Sequence, residues 1–567
     1  MTVLPFLVFA AVAGIGSLVL RANRGWSTAI AVAGLIGMAA AAASMSPSSM
    51  IDVGGTVVSG SAWLRLYALL GSVVALGLVA VDVAAMHEPD VPGVIVIGLG
   101  SAVLALALPD PRVAVLAATA GGLAGVLVAA PLGAAARSAF VGVRELRALA
   151  VAGTLAILAT AWVARPLGDL AVEPAAFGLA YLGFGIAVAI RFGAIPFHLW
   201  AARVADAAPG IALPLLMAWG PAAFAAVALV WIDQSVAPLL LPLSTERALI
   251  ASIGTVSLVL GLVAAWIQDD LEHVVGYSIV VDAGVVILGL AALDPAAWEP
   301  ARTWLLVFAV GRSAFAAWVV AIHGGFGTRR LPELVGWARR APLLAVALVL
   351  IAIASVSFPG FVAWQARSTL IELALPGPFA LIVTIAPIGA LAIYGQILLV
   401  GSARPGLAVR EGRSERPRWP EPVARRAIAG RGGFERGFER VSHAVGGALD
   451  VLWILPIAIR TNRMPLAAIA VFLLSGLAFV VAGGGLGVTE AARAVPVIGG
   501  SGPGPSGAPP ASIAPSASVA PLATFAPSAS FAPSASFAPP ASVAPEASVA
   551  PGASGSQSSG PSFAPVP

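Results

Sequence analysis

The chain has 567 residues, of which 59% are hydrophobic and only 10% charged, and its formal charge is +4. Its mean hydropathy of +0.97 excludes an ordinary soluble enzyme of this length and points to a polytopic membrane protein. Cysteine is absent, so disulfides, thiolate catalysis and Cys-ligated metal or iron–sulfur centres are excluded. All 31 basic residues are arginine, scattered among apolar runs rather than gathered into a nucleic-acid-binding stripe.

A helical span needs about 20 apolar residues. Windows of that size fall near 2–20, 28–45, 62–81, 92–109, 112–131, 144–164, 175–195, 211–231, 248–267, 273–293, 303–322, 342–374, 377–400 and 464–484. The expected fold is therefore all-α, with about fourteen transmembrane helices. The first window lacks a basic leader and reads as a retained span. The window 342–374 contains Pro359 followed by Gly360, so it reads as a helix broken inside the membrane.

Arginine-rich loops follow the first, eleventh and thirteenth windows: Arg21 and Arg24, then Arg329, Arg330, Arg339 and Arg340, then the run from Arg404 to Arg440. These loops share one side, which the positive-inside rule assigns to the cytoplasm, leaving both termini extracytoplasmic. The acidic stretches 82–90 and 268–273 fall on the same side and run against the trend.

The organisation expected is an N-terminal helical region over 1–91 and a core over 92–400. An Arg-rich cytoplasmic segment follows over 401–463, then a last span within 464–498 and a tail over 499–567. Within 432–452, Phe434, Phe438, Val441, Val445 and Leu452 share one helical face, suited either to the membrane interface or to packing on the bundle. The Ala/Pro/Ser-rich tail cannot bury a core and reads as disordered.

Charged groups inside spans are costly, by roughly 2.5–3.5 kcal/mol each on insertion scales, and are the first functional candidates. They are Arg144 with Glu145, Arg191 with His198, Asp282, Arg312, His323, and Arg367 with Glu372. Arg65, Arg144 and His323 also suit a helix-end role with the charge at the headgroups. Asp282 and Arg312 lie mid-span in consecutive windows and are expected to form a buried ion pair. In "GFGIAVAIRFGAIPFHLW" (183–200) Arg191 precedes Pro196, whereas in "SVSFPGFVAWQARSTLIEL" (355–373) Pro359 precedes Arg367. Two proline-broken spans, each fourth in a five-span block, suggest two inverted repeats with charged centres near the midplane.

"FGAIPFHLWAARVADAAPG", "QDDLEHVVGYSIVVDAGVVILGL" and "LPELVGWARRAPLLAVALVLIAIASVSFPGF" resemble the antiporter-like membrane subunits of respiratory complex I, subunit N of NADH:quinone oxidoreductase most closely. Mrp-type cation/proton antiporter subunits are relatives. The resemblance covers roughly residues 62–400. It implies a fourteen-helix transporter fold beside other membrane subunits, with protons moving along a hydrated midplane axis. It also implies no redox cofactor in this chain and no nucleic-acid partner, with quinone, FMN and iron–sulfur clusters held by partner subunits.

Residue by residue, the family's lysines of the sixth, seventh and twelfth helices fall on Arg144, Arg191 and Arg367. Its fifth-helix glutamate falls on Thr119, its eighth-helix lysine on Pro221 or Gly220, and its tenth-helix histidine on Asp282. Guanidinium does not release its proton at usable pH, so exchangeable protons are left to Glu145, His198, Asp282, His323, Glu372 and internal water. The alternatives are a non-pumping structural subunit of the same assembly and a stand-alone cation/proton antiporter. Redox chemistry in the chain itself is not expected.

Overall fold

The computed structural model describes residues 1–85, 91–129, 136–162, 174–403 and 463–494. The Arg-rich segment from 404, the amphipathic stretch 432–452 and the tail lie outside these residues.

Apolar windows become helices because a chain in lipid must satisfy its backbone internally. In order these are α1 (Leu4–Val19), α2 (Arg24–Ala43), α3 (Ala62–Ala85), α4 (Val91–Ala107), α5 (Pro111–Ala129) and α6 (Ala136–Trp162). Then come α7 (Pro174–Phe192), α8 (Leu199–Ala207), α9 (Gly220–Ser235), α10 (Ser244–Trp266), α11 (Leu271–Ala292) and α12 (Trp298–Phe326). The last are α13 (Pro342–Val356), α14 (Val362–Ala374), α15 (Pro378–Ile385), α16 (Ala390–Ser402), α17 (Met464–Ala482) and α18 (Val488–Arg493). Among the described residues nine helical stretches are long and apolar enough to cross a membrane, and five shorter apolar helices accompany them.

Two features went unread in the sequence. Residues 50–59 form an antiparallel hairpin, Met50–Val53 paired with Thr56–Ser59, through Gly54 and Gly55 at positive φ. The Gly-Gly pair between short β-prone runs is the signal for it. The window 377–400 is not one helix either: α15 and α16 are separated by a 3₁₀ turn at Ala386–Gly389 carrying Pro387, which cannot donate a helical hydrogen bond.

Burial sorts the bundle. α11 and α12 are enclosed almost throughout, consistent with helices apolar on every face. By contrast α10 turns Leu249, Val256, Leu260, Val263 and Trp266 outward, as a helix facing lipid or a partner does. α11 begins at Asp270, whose carboxylate accepts from the Glu272 amide at 3.0 Å. That N-cap satisfies one of the donors a helix start leaves free.

The acidic stretch 268–273 finds its partner at the same end of the bundle. Arg329 donates to Asp270 at 2.7 Å and to the buried Glu272. The two loops also join through the backbone, Leu331 N to Asp269 O at 2.7 Å. Two acidic residues of this stretch, Asp270 and Glu272, are thus paired in place with Arg329.

Candidate functional site

The first break lies between α7 and α8, where Gly193 takes φ +64° and the Ile195–Pro196 peptide is cis. Freed backbone groups inside a membrane must find partners, and two side chains supply them. Ser257 of α10 accepts from Ile195 N at 3.0 Å, and Trp200 Nε1 donates to Ile190 O at 2.9 Å. Trp200 is therefore buried and bound to the break, not part of an interfacial aromatic belt.

Arg191 occupies the last turn of α7, the carbonyl end where a cation is favoured, and is 5% exposed. Its guanidinium fits a slot made by missing side chains. A Cβ at Gly122 of α5 would lie 3.0 Å from Nη2, and one at Gly220 would lie 3.1 Å from it. Gly220 follows a π-turn at Leu215–Trp219, a local helix expansion of the kind that marks functional sites.

The second break, between α13 and α14, has Ser357 at φ +54° and Gly360 at φ +101°. Arg367, two turns into α14 and 1% exposed, reaches back to donate from Nη1 to Val356 O at 2.8 Å. That carbonyl ends α13, so both guanidiniums sit at the carbonyl end of the helix preceding a break. The Arg367 Cζ lies 5.0 Å from the Trp364 ring centroid and 5.9 Å from that of Trp304, within cation–π range.

Asp282 and Arg312 are joined, Nε to Oδ2 at 2.5 Å, with exposures of 6% and 4%. Arg312 also donates to the Tyr394 hydroxyl at 2.9 Å. Trp304 links this pair to Arg367, since its indole donates to Asp282 O at 3.2 Å while its face lies toward the guanidinium. Toward the first break, Trp219 Nε1 donates to Ser313 Oγ at 3.0 Å, and Tyr67 donates to Trp219 O at 2.7 Å. Two groups of buried polar residues result, Tyr67, Trp219 and Ser313 on the side of Gly220 and Arg191, and Tyr394, Arg312, Asp282 and Trp304 beside Arg367, with Ser313 and Arg312 adjacent on α12.

The other sequence candidates fall elsewhere. Glu372 is exposed on α14 and makes no ion pair with Arg367. Five residues place the two about 140° apart around a helix. His198 caps α8 without a side-chain bond; its Nδ1 is buried and unpartnered, with the ring 6.3 Å from that of Tyr277. His323 is half-buried near the end of α12, and Arg65 is exposed. Arg144 and Glu145 lie on α6, with side chains outside the described ones. Tyr67, Trp219, Ser313, Trp304 and Tyr394 were missed because each reads as ordinary core in an apolar sequence. Only the mid-span tryptophans, whose indole N–H needs a partner when buried, offered a signal.

Thr119 and Gly220 account for the two positions where acid and lysine were expected. Thr119 Oγ1 donates to Val115 O of its own helix at 2.8 Å, and Gly153 of α6 packs directly against the side chain. At Gly220 the Arg191 guanidinium fills the space a side chain would take. Among the described residues no group of three or more His, Asp or Glu is placed to hold a metal ion.

Comparisons with known proteins bear on the fold and the family resemblance. Residues 148–391 match the family described as NADH:quinone oxidoreductase/Mrp antiporter, TM. NADH-quinone oxidoreductase subunit N of Hydrogenovibrio crunogenus is 27% identical over 219 residues, 38% of this chain and 44% of that protein. Subunit N 2 of Solidesulfovibrio magneticus is 30% identical over 217 residues, 38% and 45% of the two chains. The matched stretch spans less than half the length of these curated relatives.

Solved structures share the fold over most of the chain. A chain of the archaeal membrane-bound sulfane sulfur reductase superposes with a TM-score of 0.62 at 14% identity, covering 83% of this chain and 98% of that one. One from respiratory complex I of Thermus thermophilus gives 0.58 at 17%, covering 84% and 97%. One from the Mrp complex of Dietzia gives 0.58 at 18%, covering 87% and 95%. The interior of the chain, residues 148–391, is thus similar to the family described as NADH:quinone oxidoreductase/Mrp antiporter, TM, and the helical fold is shared with these solved chains.

Proposed function

We propose that the chain is a proton-translocating, antiporter-like membrane subunit of an NADH:quinone oxidoreductase type assembly. The observation that carries this reading is the set of buried polar groups between Arg191 and Arg367, lying between two broken helices. Polar groups this deep in a membrane are expensive and mark ion pathways. The homology to subunit N supports the same reading.

In this account the arginines are fixed fields. Arg191 and Arg367 hold positive potential at the two breaks, and Arg312 is paired with Asp282. Exchange of the proton falls to Asp282, His198, Glu145, His323 and water threaded among them, because a guanidinium cannot itself load and unload. The partners would be other membrane subunits and the bilayer, with NADH oxidation and quinone chemistry in those partners. Both termini would face the extracytoplasmic side.

One observation favours a narrower role. Thr119 is bonded to its own helix and the Arg191 guanidinium lies against Gly220, so the positions where the family resemblance implies a fifth-helix acid (Thr119) and an eighth-helix lysine (Pro221 or Gly220) carry neither. A subunit conducting through one half, or serving only assembly, fits those two positions.

The test is reconstitution of the whole assembly in liposomes, with protons moved per electron compared between wild type, Arg367→Ala and Glu145→Gln. Loss of this subunit's share in Arg367→Ala, with NADH oxidation retained, supports translocation. Equal stoichiometry in all three leaves only the structural role.

A further inference from the structure

Arg367 carries an unmet demand. Its Nη1 is satisfied by Val356 O, yet Nε and Nη2, both buried, have no hydrogen-bond partner among the described residues. Those two nitrogens form the side-on edge of the guanidinium, the fork that receives an anion in bidentate fashion. The hydroxyls of Ser355 and Thr303 are also buried and unpartnered. Ser355 adjoins Val356, which holds Arg367, and Thr303 adjoins Trp304, whose ring faces it. Four of the six such orphaned atoms among the described residues thus belong to Arg367 or to neighbours in sequence of its contacts.

Charge points the same way. Asp282 is committed to Arg312, and Glu372 is exposed and apart, so among the described residues two guanidiniums face one carboxylate and a positive charge is left over. Tryptophan faces and the end of α13 offset part of it. Water could satisfy the two N–H groups but would leave the charge, whereas an anion answers both needs.

We propose that the Nε/Nη2 edge of Arg367 holds a small monovalent inorganic anion, chloride in the cell. A single excess cation calls for a single negative charge, and the 1% exposure of Arg367 leaves no approach for a carboxylate of another chain. The site stands whether or not the chain conducts protons. It would make the second break an anion-neutralised centre in place of one that a lysine could neutralise by losing its proton.

Bromide is the probe. Crystals of the assembly containing the full chain, exchanged into bromide, are measured at the bromine absorption edge. The expected result is one anomalous peak per chain in hydrogen-bond contact with Arg367 Nε and Nη2, absent in Arg367→Met. Equilibrium dialysis with radiochloride should show saturable binding that weakens roughly tenfold or more in that variant and stays unchanged in Glu372→Gln. Water at the edge with no anomalous peak in the wild-type protein overturns the proposal. That measurement needs no variant, so it decides even if Arg367→Met does not fold, and it is independent of pumping stoichiometry.

Discussion

The two broken helices solve one problem with opposite materials. At the first break the cation belongs to the helix before the break and is housed by absence, in a slot that Gly122 and Gly220 leave open. At the second it belongs to the helix after the break, reaches back to Val356 O, and is housed by bulk, between the faces of Trp304 and Trp364. Each guanidinium ends at the carbonyl terminus of the preceding helix, where the backbone dipole favours it. A breaking proline therefore does more than interrupt a span: it exposes a partly negative helix end inside the membrane, and a permanent cation can rest there from either direction.

The strongest way to break this comparison is to remove the carboxylate paired with Arg312 near the second break. Asp282→Ala leaves Arg312 buried without its carboxylate, and losing one member of a buried pair costs about 3–5 kcal/mol. Thermal unfolding of the purified assembly should show this subunit destabilised by that much, with most of the loss recovered in Asp282→Leu combined with Arg312→Met. Failure of the double variant to recover would mean that the pair does more than neutralise itself. Arg191 supplies the contrast, because its slot is fixed by packing.

Packing is accordingly how the first region is tested. Gly220→Leu drives a side chain into the space of the Arg191 guanidinium, an overpacking that costs about 1–3 kcal/mol. Arg191→Ala in the same chain should relieve it, giving a coupling energy in a double-mutant cycle that distant pairs do not show. Purely additive effects would mean that the guanidinium does not occupy the slot.

The difference between the regions also explains what the sequence disclosed. Breaks at Pro196 and Pro359, and the pairing of Asp282 with Arg312, were legible because proline and a mid-span charge each violate the rule for a lipid-embedded helix, and a violation is informative. The supports were not legible. Gly122, Gly220 and Ser257 are common residues in an Ala/Gly-rich membrane chain, and nothing in a linear string says which glycine faces a guanidinium 69 residues or 29 residues away in numbering. Glu372 shows the same limit: it is near Arg367 in sequence, but helical geometry sends the two side chains to different sides. The role of Trp200 was equally unmarked, since a broken helix creates polar needs in the interior, which an indole N–H can meet.

Aromatic housing of the second cation can be weakened by degrees. Trp364→Leu removes the nearer face at similar apolar bulk, and the expected loss is about 0.5–2 kcal/mol of stability, read in the same unfolding experiment. Arg367→Met should then be affected little by Trp364→Leu, since no cation remains for the ring to stabilise. A full-sized effect of Trp364→Leu in the Arg367→Met background would mean that the ring acts only as core.

The smallest effect expected lies on the same helix. Glu372 is exposed near the end of α14, and among the described residues it has no partner. A surface substitution away from any buried feature changes stability by less than about 0.5 kcal/mol, so Glu372→Gln should leave both unfolding and proton stoichiometry as in wild type. The contrast with Arg367, five residues earlier and fully enclosed, is what makes this result useful. If Glu372→Gln reduced pumping while Arg367→Ala did not, protons would be following the outer face of α14, and the buried polar groups between the two breaks would be an assembly of supports with nothing to conduct.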